Sequence, residues 1–254
     1  MSSTTTLHRP DPDIQPDRPF PSIWAALGWV VGFLLVQVAL SFAFILPTLD
    51  MAHGVDAVLQ QMRDPKLTAL PSIRALVAAN GLIILLFALY VRKAGRAAQL
   101  GLTHWGKDDT QATLRIAALL IAAALIFNIG YTVLIGSKLE MQKALRDMLA
   151  AIPPTGLNMA TILFATVILA PVVEELVFRG MLQTSLSHKM PIWAAIAISA
   201  AIFSAMHGDL NSAPALMAIG AIFGTLYHLT GSLRVTIAAH LANNLFAMLA
   251  SNLS

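Results

Sequence analysis

The chain has 254 residues, of which 57% are hydrophobic and only 11% are charged, and its mean hydropathy is +0.73. Soluble domains carry about a quarter charged residues, so this composition indicates an integral membrane protein without a separate soluble enzyme. The absence of cysteine excludes disulfides, thiolate metal sites and cysteine nucleophiles. The net charge of +3 is typical of Lys and Arg retained in cytoplasmic loops, and nothing in the sequence predicts nucleic-acid binding.

The chain begins with a polar, proline-rich segment. Residues 1–22 contain five prolines and can bury little apolar surface, which predicts a disordered cytoplasmic tail. The next 24 residues, 23–46, carry no charge. A helix of about 20 residues crosses the hydrocarbon core, so this run predicts the first transmembrane span. It exceeds the apolar core of a secretory signal and is expected to stay in the mature chain.

Charge-free runs and helix breakers predict an all-α fold, a polytopic transmembrane bundle of about seven spans. The predicted spans are 23–46, 75–91, 116–135, 157–173, 191–206, 213–229 and 235–250. The domain organisation expected from them is three N-terminal spans within 23–135, a linker at 136–156 and a four-helix C-terminal core at 157–254. The last four spans are near the lower length limit for crossing, so some are expected to stop partway across, around a cavity.

The segments between the spans indicate how the chain lies in the membrane. Residues 138–152 mix apolar and basic side chains in the pattern of an amphipathic helix, which either lies on the membrane surface or packs over the bundle. With seven spans, ten of the 16 Lys and Arg residues fall on the side of the N-terminus. Basic residues concentrate in cytoplasmic loops, so the N-terminus is predicted to be cytoplasmic.

Two of the three glutamates in the chain, Glu174 and Glu175, directly follow the apolar run 157–173. A carboxylate in a membrane helix is costly unless it is paired, hydrated or protonated, which makes such residues functional candidates. Residues four apart share a helix face, so Glu175 can pair with Arg179, while Glu174 points about 100° away and stays free. The structural alternative is a simple salt bridge at a helix end.

Two further polar groups occur in apolar spans. Phe203 and His207 stand one turn apart at the end of the fifth span, and His240 and Asn244 share a face of the seventh. Each group has a structural explanation, a helix-end histidine in the first case and a buried interhelical hydrogen bond in the second. Their occurrence together with Glu174, on successive segments of one half of the chain, favours a common site.

The combination suits amide hydrolysis. A carboxylate and an imidazole can activate water as a general base, and an imidazole and a carboxamide can donate hydrogen bonds to a developing oxyanion. The alternative is a metal site with Glu174, His207 and His240 as ligands and water in the open position. Because no helix carries a His-Glu-x-x-His arrangement, a mechanism that needs no cofactor is preferred over one that uses a divalent metal such as zinc.

Three ordered motifs carry a family resemblance. Residues 174–179 read EExxxR, residues 203–207 read FxxxH and residues 240–244 read HxxxN. In this order, inside an all-helical membrane chain, they resemble the motifs of the CPBP family (CAAX proteases and bacteriocin-processing proteins, also called the ABI family). The resemblance covers about residues 157–249, the four-helix catalytic core of that family. It implies an intramembrane endopeptidase similar to the type II CAAX prenyl protease.

The resemblance also implies a role for each motif residue. Glu174 and His207 would activate water, and His240 with Asn244 would stabilise the oxyanion. Glu175 and Arg179 would shape the site. Family members have been described both as metalloproteases and as glutamate-dependent proteases, so the resemblance leaves the use of a metal open.

The partners that the resemblance implies are the lipid bilayer and a peptide or protein substrate with a membrane-embedded or lipid-modified C-terminal segment. Prenylated CAAX-like and bacteriocin-type peptides are the two candidate classes. The simplest family members imply a bacterial plasma membrane as the location.

Two other classes of function compete with proteolysis. A non-catalytic membrane protein for bacteriocin immunity or scaffolding would use the same polar groups only structurally. A proton-coupled transporter would use Glu174, His207 and His240 as a proton relay, although the sequence shows no internal repeat of the kind many transporters have. Changing Glu174 to Gln separates the first class from a protease, because only the protease needs the carboxylate.

Overall fold

The computed structural model describes residues 20–92, 96–106, 110–135 and 147–251. Within these ranges the chain is helical, without strands, and the predicted polytopic helical bundle is confirmed. The predicted tail lies almost entirely, and the linker largely, outside the described residues. The helices are α1 (Ile23–Ile45), α2 (Val55–Met62), α3 (Pro65–Val91), α4 (Arg96–Gln99), α5 (Thr110–Ile135), α6 (Gly156–Ser187), α7 (Ile192–Ala205), α8 (Ala213–Thr230) and α9 (Leu233–Ser251).

Every predicted span coincides with an apolar helix, but the helices differ in reach. Five of those described are long and apolar enough to cross a membrane, namely α1, α3, α5, α6 and α8. Helix α7 and the apolar segment of α9, Leu233–Leu249, are shorter. The 14 residues of α7 extend only about 21 Å, less than the roughly 30 Å of the hydrocarbon core. Of the four short spans expected in the C-terminal half, α7 and the apolar segment of α9 are therefore short, whereas α6 and α8 are long enough to cross.

Two helices extend well past their predicted bounds because charged residues do not end them. Helix α3 begins at Pro65 instead of residue 75, with Asp64 accepting the backbone N–H of Lys66 at its start and with Arg74 on its exposed face. Helix α6 continues to Ser187 instead of ending at residue 173. Glu174 and Glu175 consequently lie in the interior of a long membrane helix and not at its end.

Helix α6 is the centre of the bundle and contains two π-helical stretches, Phe164–Leu169 and Glu175–Gln183. Thr155 caps its start by accepting the backbone N–H of Asn158. All nine residues of the second π-helical stretch are buried. Such wide turns are rare and concentrate at functional sites, so this stretch marks where the helix departs from regular geometry in order to place its polar side chains.

Helix α1 lies antiparallel to α6 and covers one side of it. Ala26 of α1 belongs to the same buried cluster as Met181 of α6. Farther along α1, the Phe33 ring meets the Phe178 ring edge to face, with 6.3 Å between centroids. One more turn along each helix brings Gln37 of α1 level with Glu174 of α6.

Helices α6, α7 and α8 approach closely at Gly220 and Gly224, a small-xxx-small pair of the kind that brings membrane helices together. Arg179 donates to the Gly220 carbonyl at 3.0 Å, and Gln183, one turn farther along α6, donates to the Gly224 carbonyl at 2.9 Å. A Cβ on Gly220 would lie 3.1 Å from the Ala200 Cβ. The two glycines thus let buried polar side chains of α6 reach the backbone of α8.

We expect the Gly220→Ala variant to unfold more readily than the parent, by about 1–3 kcal/mol, because the added methyl overpacks the contact with the Ala200 backbone. The matched control is Gly81→Ala in α3, where an added Cβ meets nothing within 4 Å and Ala is the better helix former. Thermal unfolding in detergent measures both variants. Equal melting temperatures for the two would contradict this account of the α7–α8 contact.

The start of α9 is fixed by a loop from the N-terminal half. The backbone N–H of Leu233 bonds to the Gly101 carbonyl at 3.1 Å, and the Ser232 hydroxyl donates to the His104 carbonyl at 2.6 Å. Gly101 has φ +67° and packs directly on the Gly231 carbonyl, leaving no room for a side chain. This docking sets where α9 begins and therefore the height of His240, two turns along it.

Candidate functional site

Glu175 and Arg179 form an ion pair in the middle of the bundle. Glu175 Oε1 lies 3.0 Å from an Arg179 guanidinium nitrogen, and the two side chains are 0% and 1% exposed. The guanidinium also covers the Phe203 ring, 4.9 Å from its centroid, a cation–π contact that is stronger where water is excluded. Buried charges persist only when they are paired and hydrogen-bonded, and here α6 supplies both members of the pair one turn apart.

His240 of α9 stands between the two consecutive carboxylates. Its Nδ1 lies 2.7 Å from Glu175 Oε1, and its Nε2 lies 3.6 Å from Glu174 Oε2. An ionised carboxylate can only accept, so Nδ1 carries the hydrogen and donates to Glu175. The Nε2 edge of the ring faces Glu174 across a gap longer than a direct hydrogen bond.

His207 is oriented by its own helix. Its Nδ1 lies 2.8 Å from the Phe203 carbonyl oxygen, one turn back. A carbonyl can only accept, so Nδ1 is the donor and, in the neutral ring, Nε2 carries a lone pair. The imidazole also packs against the Phe203 ring, with 4.8 Å between centroids. The spacing of the FxxxH motif therefore supplies both an acceptor carbonyl and an aromatic wall.

Glu174 and His207 face the same cavity. It has a volume of about 240 Å³ and lies between α1, α6 and α7. Its lining residues are Phe33, Leu34, Gln37, Glu174, Phe178, Met206 and His207. The Glu174 side chain is 16% exposed, in contrast to the fully buried Glu175, so one carboxylate of the pair is held in the core and the other is open to this cavity.

Asn244 lies one turn beyond His240 and contacts the other π-helical stretch of α6. Its Nδ2 donates to the Thr166 carbonyl at 3.1 Å, and its Oδ1 accepts from Asn243 at 3.4 Å. An amide nitrogen carries two hydrogens, and the Thr166 carbonyl takes one of them. The structure thus brings five of the six predicted residues together, namely Glu174, Glu175, Arg179, His207 and His240. The sixth, Asn244, lies on the same face of α9 as His240.

The alternative metal set consists of Glu174, His207 and His240. Within the described ranges, no group of three His, Asp or Glu side chains converges in a way that could hold a metal ion. His240 Nδ1 bonds to Glu175, and His240 Nε2 lies 3.6 Å from Glu174 Oε2, close to the roughly 3.4 Å that separates two ligands of a tetrahedral zinc ion with bonds of about 2.1 Å. Two of the three residues of the alternative set are thus spaced as zinc ligands are, and the chelator experiment below decides between the metal-free and the zinc scheme.

Sequence reasoning missed the contribution of α1. Gln37, Phe33 and Leu34 line the cavity but lie far from all three motifs along the chain. One signal was available for Gln37, which is the only amide side chain in the apolar helix α1. Polar groups in membrane helices usually face the interior of the bundle and mark interhelical contacts or functional paths.

Two comparisons with known proteins find similar sequences. Residues 156–246 match the family model described as "Type II CAAX prenyl endopeptidase Rce1-like", a range that contains all three motifs. The chain is also 31% identical over 115 residues to the curated "Putative membrane peptidase YdiL" of Bacillus subtilis (strain 168). The alignment spans 45% of this chain and 44% of that relative, less than half of each. No solved structure matches the chain significantly.

Proposed function

We propose that the protein is an intramembrane endopeptidase of the CPBP family, because residues 156–246, which contain all three motifs, match the Rce1-like family model, and 115 residues align with a relative named as a putative membrane peptidase. The observation that carries the proposal is the shared cavity of Glu174 and His207 within an apolar bundle. A carboxylate and an imidazole that face one cavity with room for water are the groups that general base catalysis requires.

Water activation falls to Glu174 and His207. Glu174 accepts the proton of a water molecule in the cavity, and the Nε2 lone pair of His207 accepts a second hydrogen bond from the same water. The water oxygen then attacks the carbonyl carbon of the scissile peptide bond. On collapse of the tetrahedral intermediate, the proton taken by Glu174 passes to the departing amine, so that the carboxylate is restored.

Oxyanion stabilisation falls to His240 and Asn244. The carboxylate of Glu175 is balanced by Arg179, so a proton on His240 Nε2 is balanced by the charge of Glu174. That N–H and the second Nδ2 hydrogen of Asn244 donate to the oxygen that gains charge in the transition state. Glu175 and Arg179 act as positioning residues, because they hold His240 without touching the substrate. No metal takes part in this scheme.

The proposed substrate is a peptide or protein whose C-terminal segment is membrane-embedded or lipid-modified. The cavity opens between membrane helices and is walled largely by apolar side chains, so an extended segment can reach Glu174 without leaving an apolar environment. The proposed setting is a bacterial plasma membrane with the N-terminus in the cytoplasm. Prenylated CAAX-like and bacteriocin-type peptides are the two classes to compare.

The proposal is tested by peptide hydrolysis with the full chain in detergent. The probes are an internally quenched peptide with a farnesylated CAAX-type end, its unprenylated form and a quenched apolar peptide of bacteriocin type. Each is measured with and without a strong chelator. Cleavage that survives the chelator is the expected result. Loss of cleavage that zinc restores would overturn the metal-free scheme, and proton-driven transport without any peptide products would overturn the protease proposal.

A further inference from the structure

Helix α1 places one polar side chain in the cavity that Glu174 and His207 share. Gln37 is half-buried and lines the cavity, although α1 lies outside the range that matches the family model. Its Nε2 donates to Asn80 Oδ1 of α3 at 2.9 Å. The hydrogen bond to Asn80 of α3 therefore orients the Gln37 carboxamide, which faces the two residues proposed to activate water.

Gln37 lies at the same level in the bundle as Glu174. Gln37 lies one turn after Phe33 in α1, and Glu174 lies one turn before Phe178 in α6. Helices α1 and α6 run antiparallel, with the Phe33 and Phe178 rings in contact one turn away. Gln37 and Glu174 are thus at one level on facing helices.

The Gln37–Asn80 pair has more hydrogen-bonding capacity than the protein uses. Two facing carboxamides can form two reciprocal bonds, but only one is present, and Asn80 Nδ2 is buried without a partner among the described residues. The one bond engages Gln37 Nε2 and leaves Gln37 Oε1, an acceptor with two lone pairs, without a hydrogen bond to any of the described residues. The Gln37 carboxamide can therefore accept a hydrogen bond from a group in the cavity.

We propose that Gln37 is a substrate-binding residue that hydrogen-bonds the peptide backbone beside the scissile bond. Its Oε1 accepts a backbone N–H of an extended peptide, while the bond from Nε2 to Asn80 keeps the carboxamide oriented. The peptide is thereby fixed in the cavity with its carbonyl toward Glu174 and His207. The inference rests on the proposed protease function. It adds that the N-terminal helices contribute to the substrate-binding site.

The test compares Gln37→Met with Asn80→Leu, using whichever quenched peptide the parent cleaves. Met keeps the length of the Gln37 side chain but removes its hydrogen bonding, whereas Asn80→Leu breaks the same interhelical bond from the other side and leaves Gln37 in place. We expect Gln37→Met to raise KM about tenfold and to change kcat less than about twofold. Loss of the bond to Gln37 would leave a buried peptide N–H unpaired, and an unpaired group of this kind weakens binding by about this factor. Asn80→Leu should raise KM less than about threefold.

A purely structural role for Gln37 predicts a different pattern. Both variants would then lower the melting temperature alike and would leave KM unchanged or shift it equally, and either result would overturn the proposal. A sharper arm uses peptides N-methylated at one backbone amide at a time. At one position the methyl group should raise KM for the parent but add little for Gln37→Met, because the two changes remove the same bond. Additive effects at every position would contradict a contact with the backbone N–H.

A binding measurement separates this inference from the protease proposal. Fluorescently labelled farnesylated and unprenylated peptides are titrated against the Glu174→Gln protein in nanodiscs, with and without Gln37→Met. We expect Gln37→Met to weaken binding about tenfold, whether or not the parent hydrolyses the probe. Unchanged affinity on Gln37→Met, or no binding of any probe, would overturn the role of Gln37. Binding of a probe that the parent protein does not hydrolyse, weakened by Gln37→Met, would overturn only the proposed reaction.

Discussion

We expect the Glu174→Gln variant to lose peptide hydrolysis by on the order of 10²- to 10⁴-fold, the usual contribution of a general base. Gln has the shape of Glu but cannot take a proton from water. The side chain is partly exposed to the cavity and bears no buried ion pair with Arg179, so folding should survive the change. The readout is the hydrolysis rate of the quenched peptides under single-turnover conditions, with the melting temperature followed in parallel.

The matched control for this variant is Met206→Leu, which changes another side chain of the same cavity without altering a polar group. We expect it to keep the rate within a few-fold, since swaps that conserve volume are well tolerated. Hydrolysis by Glu174→Gln at the rate of the control would show that Glu174 is not the base. Hydrolysis by neither protein would instead favour a non-catalytic or transport function for the buried polar groups.

Local spacing along the chain was sufficient to predict the helical pairs of the site. The four-residue separation of Glu175 and Arg179 predicts one helix face, and the structure places them in an ion pair at 3.0 Å. The same spacing brings the His207 ring to the Phe203 carbonyl. Such pairs depend only on the pitch of a helix, which is why they can be predicted without knowledge of the tertiary structure.

The length of α6 could not be predicted in the same way. Charges usually end an apolar span, so the predicted span stops at residue 173, whereas the helix continues to Ser187. The groups that stabilise the buried carboxylates come from distant parts of the chain. His240, which contacts Glu175, is 65 residues away along the chain, and the Gly220 carbonyl, which accepts from Arg179, is 41 residues away.

The cavity could not be predicted from the sequence either. Its wall from α1 depends on the antiparallel packing of α1 on α6, set by apolar contacts such as that between Phe33 and Phe178. An apolar helix shows little preference for one face in a membrane chain, because lipid-facing and buried positions are both hydrophobic. Gln37 was visible as an isolated amide, but its position opposite Glu174 follows only from the register of the two helices.

We expect the Arg179→Met variant to lose about 3–5 kcal/mol of folding stability, the usual cost of leaving a buried charge without its partner. Glu175 would remain fully buried beside His240 alone, and the Gly220 carbonyl and the Phe203 ring would lose the guanidinium. Thermal unfolding in detergent, or loss of monodisperse protein on gel filtration, measures the effect. The control is Arg92→Met at an exposed position, expected to change stability by less than about 0.5 kcal/mol.

The double variant Glu175→Gln with Arg179→Met separates the cost of an unpaired charge from the loss of packing. Removing both charges should recover much of the stability, because replacing a buried ion pair as a unit is far less costly than breaking it. A double variant as unstable as Arg179→Met alone would show that the guanidinium acts through its contacts with Phe203 and Gly220 and not through Glu175. If the double variant folds but hydrolyses peptides slowly, the reason is local, since His240 Nδ1 then faces a neutral amide in place of the Glu175 carboxylate that positions the ring.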